Sequence, residues 1–287
     1  MIYKMFSRLK MYLHRLKVVY KAHKSEYKYS LSDYCQYLLY AEYPGSLKDF
    51  PEIKEITIKS DYAQLSINNQ IYFWPKRADR KGLIGIYLEV FMPPSRNFHA
   101  YEFEGARLKP NGLVIDAGAS EGFFVRYALE RGAKLIVFEP VASLVGALKM
   151  TFDEEIANKL VSILPYALGA TSRMAKLETA EDHLFDSHIS YNGSEIKIVA
   201  LDDIINHETV DFIKMDIEGS EMDAVEGARK TISKYKPRLS IAVYHQVENA
   251  HKVCTLLRQI RPDYQIKYRG IYAWEGCEPR PFMVYAW

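Results

Sequence analysis

The stretch VIDAGASEGFF, residues 114–124, decides the fold that the sequence predicts. An apolar run leads to an acid, Asp116, and two glycines follow it at Asp-x-Gly-x-x-x-Gly spacing. This order is typical of a buried strand, a glycine turn and the start of a helix, which together bind nucleotides. Asp116 would repel the pyrophosphate of a dinucleotide. It suits S-adenosylmethionine, because that molecule carries an ammonium and a sulfonium.

A second apolar run, residues 135–138, also ends in an acid, Glu139, and Pro140 then turns the chain. Glu139 follows Asp116 by 23 positions, close to the ~20-residue spacing of a ribose-binding acid in a βαβ unit. A carboxylate accepts hydrogen bonds from both ribose hydroxyls. Taken alone, Asp116 is equally compatible with a turn or capping residue, but the pair of acids favours an adenosyl ligand.

The composition is that of an ordinary globular chain. Of its 287 residues, 48% are apolar and 26% are charged, and the net charge of +2 gives no general case for nucleic acid binding. The three cysteines lack metal-ligand spacing and cannot all pair within one chain, which favours reduced thiols in the cytosol. No apolar run is long enough to span a bilayer or resembles a cleavable signal, so we expect a cytoplasmic protein.

The first 28 residues carry eight Lys and Arg against a single acid, Glu26. Apolar residues recur there at three- and four-residue steps, which predicts a basic amphipathic helix. Such a helix can lie on the anionic inner face of a membrane, or it can pack on the enzyme body or a partner subunit. The sequence leaves both interpretations open, and it is also compatible with a homo-oligomer.

Residues 56–73 alternate as strands and turn at Asn68-Asn69-Gln70, which predicts a β-hairpin. Pro93-Pro94 is interpreted as a linker. We therefore expect an N-terminal extension over residues 1–100, a helix followed by the hairpin, and a catalytic domain over residues 101–287.

From Lys109 onward, apolar strands and helical segments alternate, which predicts a mostly parallel sheet with helices on both faces. Ligands of such sheets bind beyond the carboxyl ends of the strands. The residues predicted at those ends, which should line one cleft, are Asp116, Glu139, Tyr166, Asp216 and His245.

The run DFIKMDIEGSE, residues 211–221, resembles the signature of FkbM-family S-adenosylmethionine-dependent methyltransferases, which carry a similar Lys-x-Asp-x-Glu-Gly-x-Glu run. The resemblance extends from about Tyr101 to the C-terminus and leaves out the basic N-terminal segment. Other matching segments follow in the family's order, at residues 116–122, 138–140, 200–205, 224–228 and 236–245. The chain departs from many members at Ser120, where they have Asn, and at Ala242, where they have Glu.

The resemblance implies a Rossmann-like class I methyltransferase fold with a mostly parallel seven-stranded sheet. It also implies methyl transfer from S-adenosylmethionine to a hydroxyl of a sugar or glycan precursor, of surface polysaccharide or lipopolysaccharide type, or of a related small metabolite. Residues expected to bind the cofactor are Asp116, Gly118, Ala119, Ser120, Gly122, Glu139, Pro140, Tyr166, Ala167 and Asp216.

His245 is the first choice for a general base, because it ends a core strand and imidazole titrates near neutral pH. A structural histidine is the competing interpretation. Asp216 could orient the methionyl ammonium or the acceptor hydroxyl, and Glu218 could act as a second base, hold His245 or stabilise the next helix. A divalent cation on these groups is conceivable but not favoured, because Glu221 is expected to face away from the cleft.

Two segments are candidates for acceptor recognition. His183–Tyr191 is expected to be a loop, either over the acceptor or simply exposed to solvent. Near the C-terminus, a polar-aromatic group suits sugar stacking, with Arg269 as a ligand for an acidic sugar or phosphate, unless these residues pack on the last strand. The members of that group are Tyr268, Arg269, Tyr272 and Trp274.

Two other classes of function compete with a glycan or metabolite methyltransferase. An RNA methyltransferase would need a basic, aromatic face, which the catalytic half lacks, so no nucleic acid partner is expected. A non-catalytic module of the same fold, tethered to a membrane-associated biosynthetic complex through the N-terminal segment, is the other alternative.

Overall fold

The computed structural model describes residues 2–40, 52–59, 61–80, 82–180, 183–190, 193–205, 208–273 and 277–287. Helices and a small antiparallel sheet precede an α/β region. The first elements are α1 (Ile2–Lys24), α2 (Leu31–Tyr40), β1 (Ile53–Lys59), β2 (Tyr62–Ile67), β3 (Gln70–Pro75) and α3 (Leu83–Phe91). Among the described residues, no helix is both long and apolar enough to cross a bilayer.

The predicted hairpin joins β2 and β3, and Asn68 and Asn69 at its turn both have positive φ, as a type I′ turn requires. The alternating residues before it form β1, which pairs antiparallel with β2. The structure places the predicted helix and hairpin within the first hundred residues, while a domain boundary at residue 100 stays a prediction.

Strands and helices alternate through the rest of the chain. The strands are β4 (Leu113–Ala117), β5 (Lys134–Phe138), β6 (Val161–Leu164), β7 (Tyr166–Leu168), β8 (Arg173–Ala180), β9 (His183–Ser190), β10 (Ser194–Val199), β11 (Phe212–Met215), β12 (Arg238–Ala242), β13 (Ile266–Tyr272) and β14 (Arg280–Ala286). The helices are α4 (Phe123–Leu129), α5 (Ala142–Thr151), α6 (Asp153–Ala157), α7 (Leu201–Ile204), α8 (Glu221–Gly227), α9 (Arg229–Tyr235) and α10 (Asn249–Ile260).

Within the described residues, the large sheet has seven strands in the order β13-β14-β12-β11-β4-β5-β6. Only β14 runs antiparallel to its neighbours there; the other pairs are parallel. Val114, Ile115 and Ala117 on β4 are fully buried, as expected for a strand covered on both faces. The predicted mostly parallel Rossmann-like sheet is therefore confirmed.

A side sheet with the order β7-β10-β8-β9 corrects one prediction, again within the described residues. His183–Ser190 is not a loop but β9, which pairs antiparallel with β8. The polar composition of the segment suggested a loop, whereas the free edge of β8 provides backbone partners for a strand. Tyr191 lies outside the described residues.

Pro93-Pro94 is also more than a linker. A short 3-10 helix, Pro94–Arg96, follows Pro93, and the carbonyl of Pro94 accepts hydrogen bonds from Gln36 Nε2 at 3.2 Å and from Arg269 Nη2. The turn thereby ties α2 to β13.

Candidate active site

A cavity of about 590 Å³ opens where the carboxyl ends of β4, β5, β11 and β12 meet, within the usual volume range of ligand pockets. Residues 86–90 of α3, which the sequence did not identify as a helix, cover one side of it. The predicted site residues that line it are Gly118, Ala119, Ser120, Glu139, Pro140, Tyr166, Ala167, Asp216, Glu218 and His245.

The two glycines of the turn have different tasks. Gly118 has a φ of +77°, and a Cβ there would lie 1.9 Å from the carbonyl oxygen of Asp216, so the close approach of β4 and β11 requires a glycine. Gly122 has a φ of +84°, and a Cβ there would lie 2.8 Å from Leu148 and 2.7 Å from Phe152. Gly122 therefore packs the turn against α5, and its predicted part in cofactor binding stays a prediction.

Asp116 is not among the residues that line the cavity, so its predicted contact with the ligand stays a prediction. Its carboxylate is completely buried and pairs with Lys214 Nζ at 3.0 Å, because the strand register sets these two residues side by side. Burial raises the pKa of Asp116, and Lys214 opposes that rise. Lys214 also donates to the carbonyl oxygens of Ala117, at 3.4 Å, and Gly118. The acid thus stabilises a buried lysine that shapes the glycine turn.

Glu139 is held so that it can accept further hydrogen bonds. The backbone N–H groups of Ser120 and Val141 donate to its Oε2 and Oε1, each at 2.9 Å. Burial raises the pKa of Glu139 to about 7, although these N–H donors favour the charged form. Each carboxylate oxygen retains acceptor capacity toward the cavity, which fits a pair of ribose hydroxyls.

Glu121 is a cavity residue that the sequence did not predict. It lines the cavity, its side chain is buried, and its Oε2 has no hydrogen-bond partner among the described residues. Burial raises the pKa of Glu121 to about 8. The available signal was its place as a second acid within the glycine turn. A buried acid without a partner at this oxygen suits a cationic group of a ligand.

Asp216 lies at the centre of the polar end of the cavity. Tyr101 donates its hydroxyl to Oδ2 at 2.7 Å, and His99 Nε2 lies 3.6 Å from the same oxygen. His245 Nε2 lies 3.6 Å from Oδ1. Burial alone would raise the pKa of Asp216, but the charges of His99, Lys214 and His245 outweigh it and lower the pKa. Asp216 is therefore ionised at neutral pH.

His245 sits among three carboxylates. Its Nδ1 lies 3.1 Å from Glu221 Oε1, and its Nε2 lies 3.4 Å from Glu218 Oε2 and near Asp216. Burial alone would lower the pKa of His245, but these acids outweigh it and raise the pKa to about 9. The expectation that this imidazole titrates near neutral pH is corrected: in the ligand-free protein it carries a proton at pH 7.

Glu221 is buried beside His245, whereas the sequence predicted that it would face away from the cleft along its helix. Its Oε1 accepts the backbone N–H groups of Ile217, at 3.1 Å, and Gly219, at 3.2 Å. Ser220 precedes α8 without a side-chain cap. Glu221 thus fixes the loop that carries Glu218, whose φ is +53°.

Two stacked aromatic rings form another wall of the cavity, at the end where Asp216 and His245 lie. The rings of Tyr244 and Tyr272 stack with centroids 5.1 Å apart, and the Arg280 guanidinium lies 4.5 Å from the Tyr272 ring. Arg280 Nε donates to the carbonyl of Tyr244 at 2.6 Å. The cavity therefore offers flat apolar surface next to a cation.

Arg269 is packed inside the fold and does not line the cavity, in line with the packing alternative that the sequence left open. It is buried, donates to the carbonyl of Pro94 and lies 4.3 Å from the Phe103 ring. Tyr268 packs edge-on against Tyr27 with centroids 5.3 Å apart, and Trp274 lies outside the described residues. Of the predicted polar-aromatic group, Tyr272 lines the cavity, and Arg280 supplies the cation there.

One ligand atom each from Asp216, Glu218 and His245 lies within 4.8 Å of the others, a spacing that a divalent cation could also span. A cation there would have to displace the proton of His245, because only the neutral imidazole binds a metal.

The glycine turn and an acid-lined cavity at the carboxyl ends of a parallel sheet define a Rossmann-like nucleotide-binding enzyme. The sequence model of the methyltransferase FkbM domain matches residues 116–264, slightly more than half of the chain. The chain belongs to the FkbM family of S-adenosylmethionine-dependent methyltransferases. The predicted family, class I methyltransferase fold and cofactor are confirmed.

Solved structures of other methyltransferases are similar to this chain. Methyltransferase FkbM from Methylobacillus flagellatus KT is 26% identical with a TM-score of 0.48, over 63% of this chain and 44% of that one. The matched region thus spans less than half of the Methylobacillus protein. A SAM-dependent methyltransferase from Aquifex aeolicus is 17% identical with a TM-score of 0.39, over 74% of this chain and 94% of that one. A SAM-dependent O-methyltransferase from Thermotoga maritima is 12% identical with a TM-score of 0.36, over 62% of this chain and 60% of that one. Comparison with curated protein sequences gives no significant match.

Proposed function

We propose that this protein methylates a hydroxyl oxygen of a sugar or glycan precursor, of the surface polysaccharide or lipopolysaccharide type, or of a related small metabolite. One observation carries the proposal: the cluster of Asp216, Glu218 and His245 shares the cavity with the stacked rings of Tyr244 and Tyr272. The cluster suits a hydroxyl nucleophile. The rings suit the flat apolar face of a sugar.

The other end of the cavity fits S-adenosylmethionine. Glu139 is positioned to accept hydrogen bonds from two ribose hydroxyls, because backbone N–H groups fix both of its oxygens. Glu121 offers a buried carboxylate oxygen to the methionyl ammonium. Tyr166 and Ala167 line the part of the wall that would hold the adenine.

The bound donor supplies a methyl group on a sulfonium, which is a good leaving group. The protein's main task is then to hold the acceptor hydroxyl in line, and such alignment is worth ~7–11 kcal/mol. Asp216, which stays ionised, and Glu218 accept hydrogen bonds from acceptor hydroxyls. His245 Nε2 lies between these two carboxylates and takes the acceptor's proton when the imidazole is neutral, a contribution of about 10²–10⁴-fold.

Arg280 extends the acceptor site toward charged substrates. Its guanidinium lies beside Tyr272 at the cavity wall, where a phosphate or carboxylate near the sugar would pair with it. A sugar that carries a phosphate, as activated and lipid-linked sugars do, is therefore the preferred acceptor class.

A labelled methyl donor tests this function. The purified protein is incubated with methyl-labelled S-adenosylmethionine and a panel of sugar nucleotides and lipid-linked sugars, and products are analysed by mass spectrometry. We expect label in a methyl ether, and Asp216→Asn should lower its yield by about 10²-fold or more. Surface glycans from cells with and without the active gene should differ by one methyl group. Label that enters only RNA or an amine would refute the assignment.

A chelator tests whether a metal takes part. Because the proposed step uses no cation, turnover should stay unchanged after treatment with EDTA. Loss of activity that added magnesium restores would instead assign Asp216, Glu218 and His245 to a metal site.

A further inference from the structure

Helix α1 has three distinct sides. One side packs on the body of the protein: Arg15, Val18 and Ala22 are buried, and Arg15 donates to the carbonyl of Leu38 at 2.9 Å. Since each residue turns an α-helix by about 100°, this side occupies one sector of the helix and leaves the others for solvent or a partner.

A second side is apolar and exposed. Leu9, Leu13, Leu16 and Tyr20 follow one another at three- and four-residue steps, so they form one continuous stripe. More than half of each side chain is exposed. The stripe faces away from the buried side, so the described part of the chain does not cover it. Such a surface is expected only where something apolar covers it.

The third side is basic and adjoins the stripe. Lys10, Lys17 and Lys24 lie there and are exposed, and Lys21 beside them pairs with Glu278. The helix holds seven Lys and Arg and no Asp or Glu, a charge of +7. Since the whole chain carries +2, the rest of it carries −5. The positive charge is therefore concentrated on this helix.

Charge and apolar surface together select the occupant. A second copy of α1 on the stripe would bring two +7 helices together, and like charges repel. An anionic membrane accepts both features, because the apolar stripe enters the headgroup region and the lysines contact lipid phosphates. We propose that α1 docks this protein on an anionic membrane surface through the stripe of Leu9, Leu13, Leu16 and Tyr20 and the adjoining Lys10, Lys17 and Lys24.

The docking has a consequence for the acceptor, and this consequence alone rests on the proposed function. Lys21 Nζ lies 2.6 Å from Glu278 Oε1, and Tyr27 donates its hydroxyl to the carbonyl of Val247 at 3.4 Å. These contacts join the end of α1 to the segments that carry His245 and Arg280. A membrane-bound protein would hold the acceptor end of its cavity close to lipid, which suits a lipid-linked sugar.

Vesicle sedimentation tests the membrane contact without any enzyme assay. The full chain should sediment with vesicles of equal parts phosphatidylcholine and phosphatidylglycerol, and should stay in solution with phosphatidylcholine alone. Replacing Lys10 and Lys17 by Gln should weaken binding by about 30-fold, since each positive charge near such a surface is worth ~1 kcal/mol. The control is the double replacement of Lys134 and Lys149 by Gln, which removes the same charge from exposed positions elsewhere and should leave binding unchanged.

The apolar stripe is tested by the double variant Leu13→Ser and Leu16→Ser. It should weaken vesicle binding at least tenfold, whereas Met174→Ser, at another exposed apolar position, should have no effect. Circular dichroism checks folding, and the single variant Leu16→Ser serves if the double variant unfolds. Failure to bind the anionic vesicles would overturn the proposal. So would equal losses in the control variants, or a dimer in solution that the stripe variant dissociates. Membrane binding without methyl transfer would refute only the proposed function.

Discussion

At His245, three carboxylates outweigh the effect of burial and hold a proton on the imidazole to about pH 9. A residue chosen as a base for its ordinary pKa thus enters the reaction in the wrong protonation state at pH 7. The donor's positive charge at the other end of the cavity disfavours a second cation, so it should lower the pKa of His245 in the complex.

The pH dependence of catalysis follows from this charge state. Only the neutral imidazole accepts a proton. The kcat/KM for the donor, which reports the free enzyme, should therefore rise about tenfold per pH unit below pH 9 and level off above it. The profile of kcat, which reports the complex, should level off at a lower pH. Steady-state assays between about pH 6 and 10 give both curves.

Glu221→Gln provides the matching variant, because it removes one of the charges that raise the pKa of His245. Its kcat/KM profile should shift toward lower pH with a similar plateau. A wild-type profile that is flat over this range would mean that His245 is not the base.

The Glu139 carboxylate allows a separate prediction about donor binding. In Glu139→Gln, only one of the two terminal atoms of the side chain can accept hydrogen bonds. The variant therefore cannot accept the backbone N–H groups of Ser120 and Val141 and both ribose hydroxyls, as the carboxylate can. Hydrogen bonds to a charged group contribute ~1.5–3 kcal/mol, so the donor's Kd should rise by about 10- to 150-fold. Calorimetry with S-adenosylhomocysteine measures it. Glu195→Gln, at an exposed position, is the control and should bind as the wild type does.

Among the elements, the turn between β4 and α4 shows why its glycines are needed. Gly118 and Gly132 share a φ of +77°, but a Cβ at Gly118 would lie 1.9 Å from a backbone oxygen, whereas at Gly132 the nearest atom is 3.9 Å away. Gly132→Ala should cost about 1 kcal/mol of unfolding free energy from backbone strain alone. Gly118→Ala should cost several times more, because backbone must move.

Urea denaturation of the two variants measures this difference directly. If the two alanine variants are equally stable, the close approach of the turn to Asp216 does not constrain the fold.

The elements that the sequence predicted best are those whose pattern comes from their own burial. The apolar runs of β4, β5 and β11 are buried on both faces, so their strands were visible in the chain. The side-chain partners were not visible, because they come from the pairing of distant strands. Asp116 meets Lys214, and Glu221 meets His245, through sheet register and loop geometry that no local pattern encodes.

Elements outside the parallel sheet were harder to predict. Helix α3 is nearly all apolar and lacks a clear helical period, yet it covers the cavity. The strand β9 depends on the edge of β8. The sequence thus predicted Glu139, most of the glycine turn and Tyr272 as residues of the cavity, whereas α3, Glu121 and Tyr244 were recognised only in the folded chain.

For the whole molecule, the buried titratable groups set how stability changes with pH. Glu139 and Glu121 have pKa values raised to about 7 and about 8, so the unfolded chain releases their protons at lower pH than the folded protein. His245, with a pKa raised to about 9, keeps its stabilising proton only below that pH. All three therefore make the ligand-free protein less stable as the pH rises from about 5 to 9.

Thermal unfolding at several pH values should show this fall. Glu121→Gln removes one of these ionisations, so it should flatten the fall of the melting temperature between about pH 5 and 8. Each unit by which folding raises the pKa corresponds to ~1.4 kcal/mol of stability that is lost over this interval. Glu195→Gln should leave the slope unchanged. A melting temperature that rises with pH over this interval would contradict the assigned ionisation states.

The ion pair between Asp116 and Lys214 also has a consequence for how this chain can change over time. Losing either partner alone leaves one uncompensated charge in the protein interior, at a cost of ~3–5 kcal/mol. Replacing either residue alone with a neutral one would therefore remove a large part of the ~5–15 kcal/mol that stabilises a typical native protein. Substitutions at the two positions should be tolerated better together than singly, although 98 positions separate them in the chain.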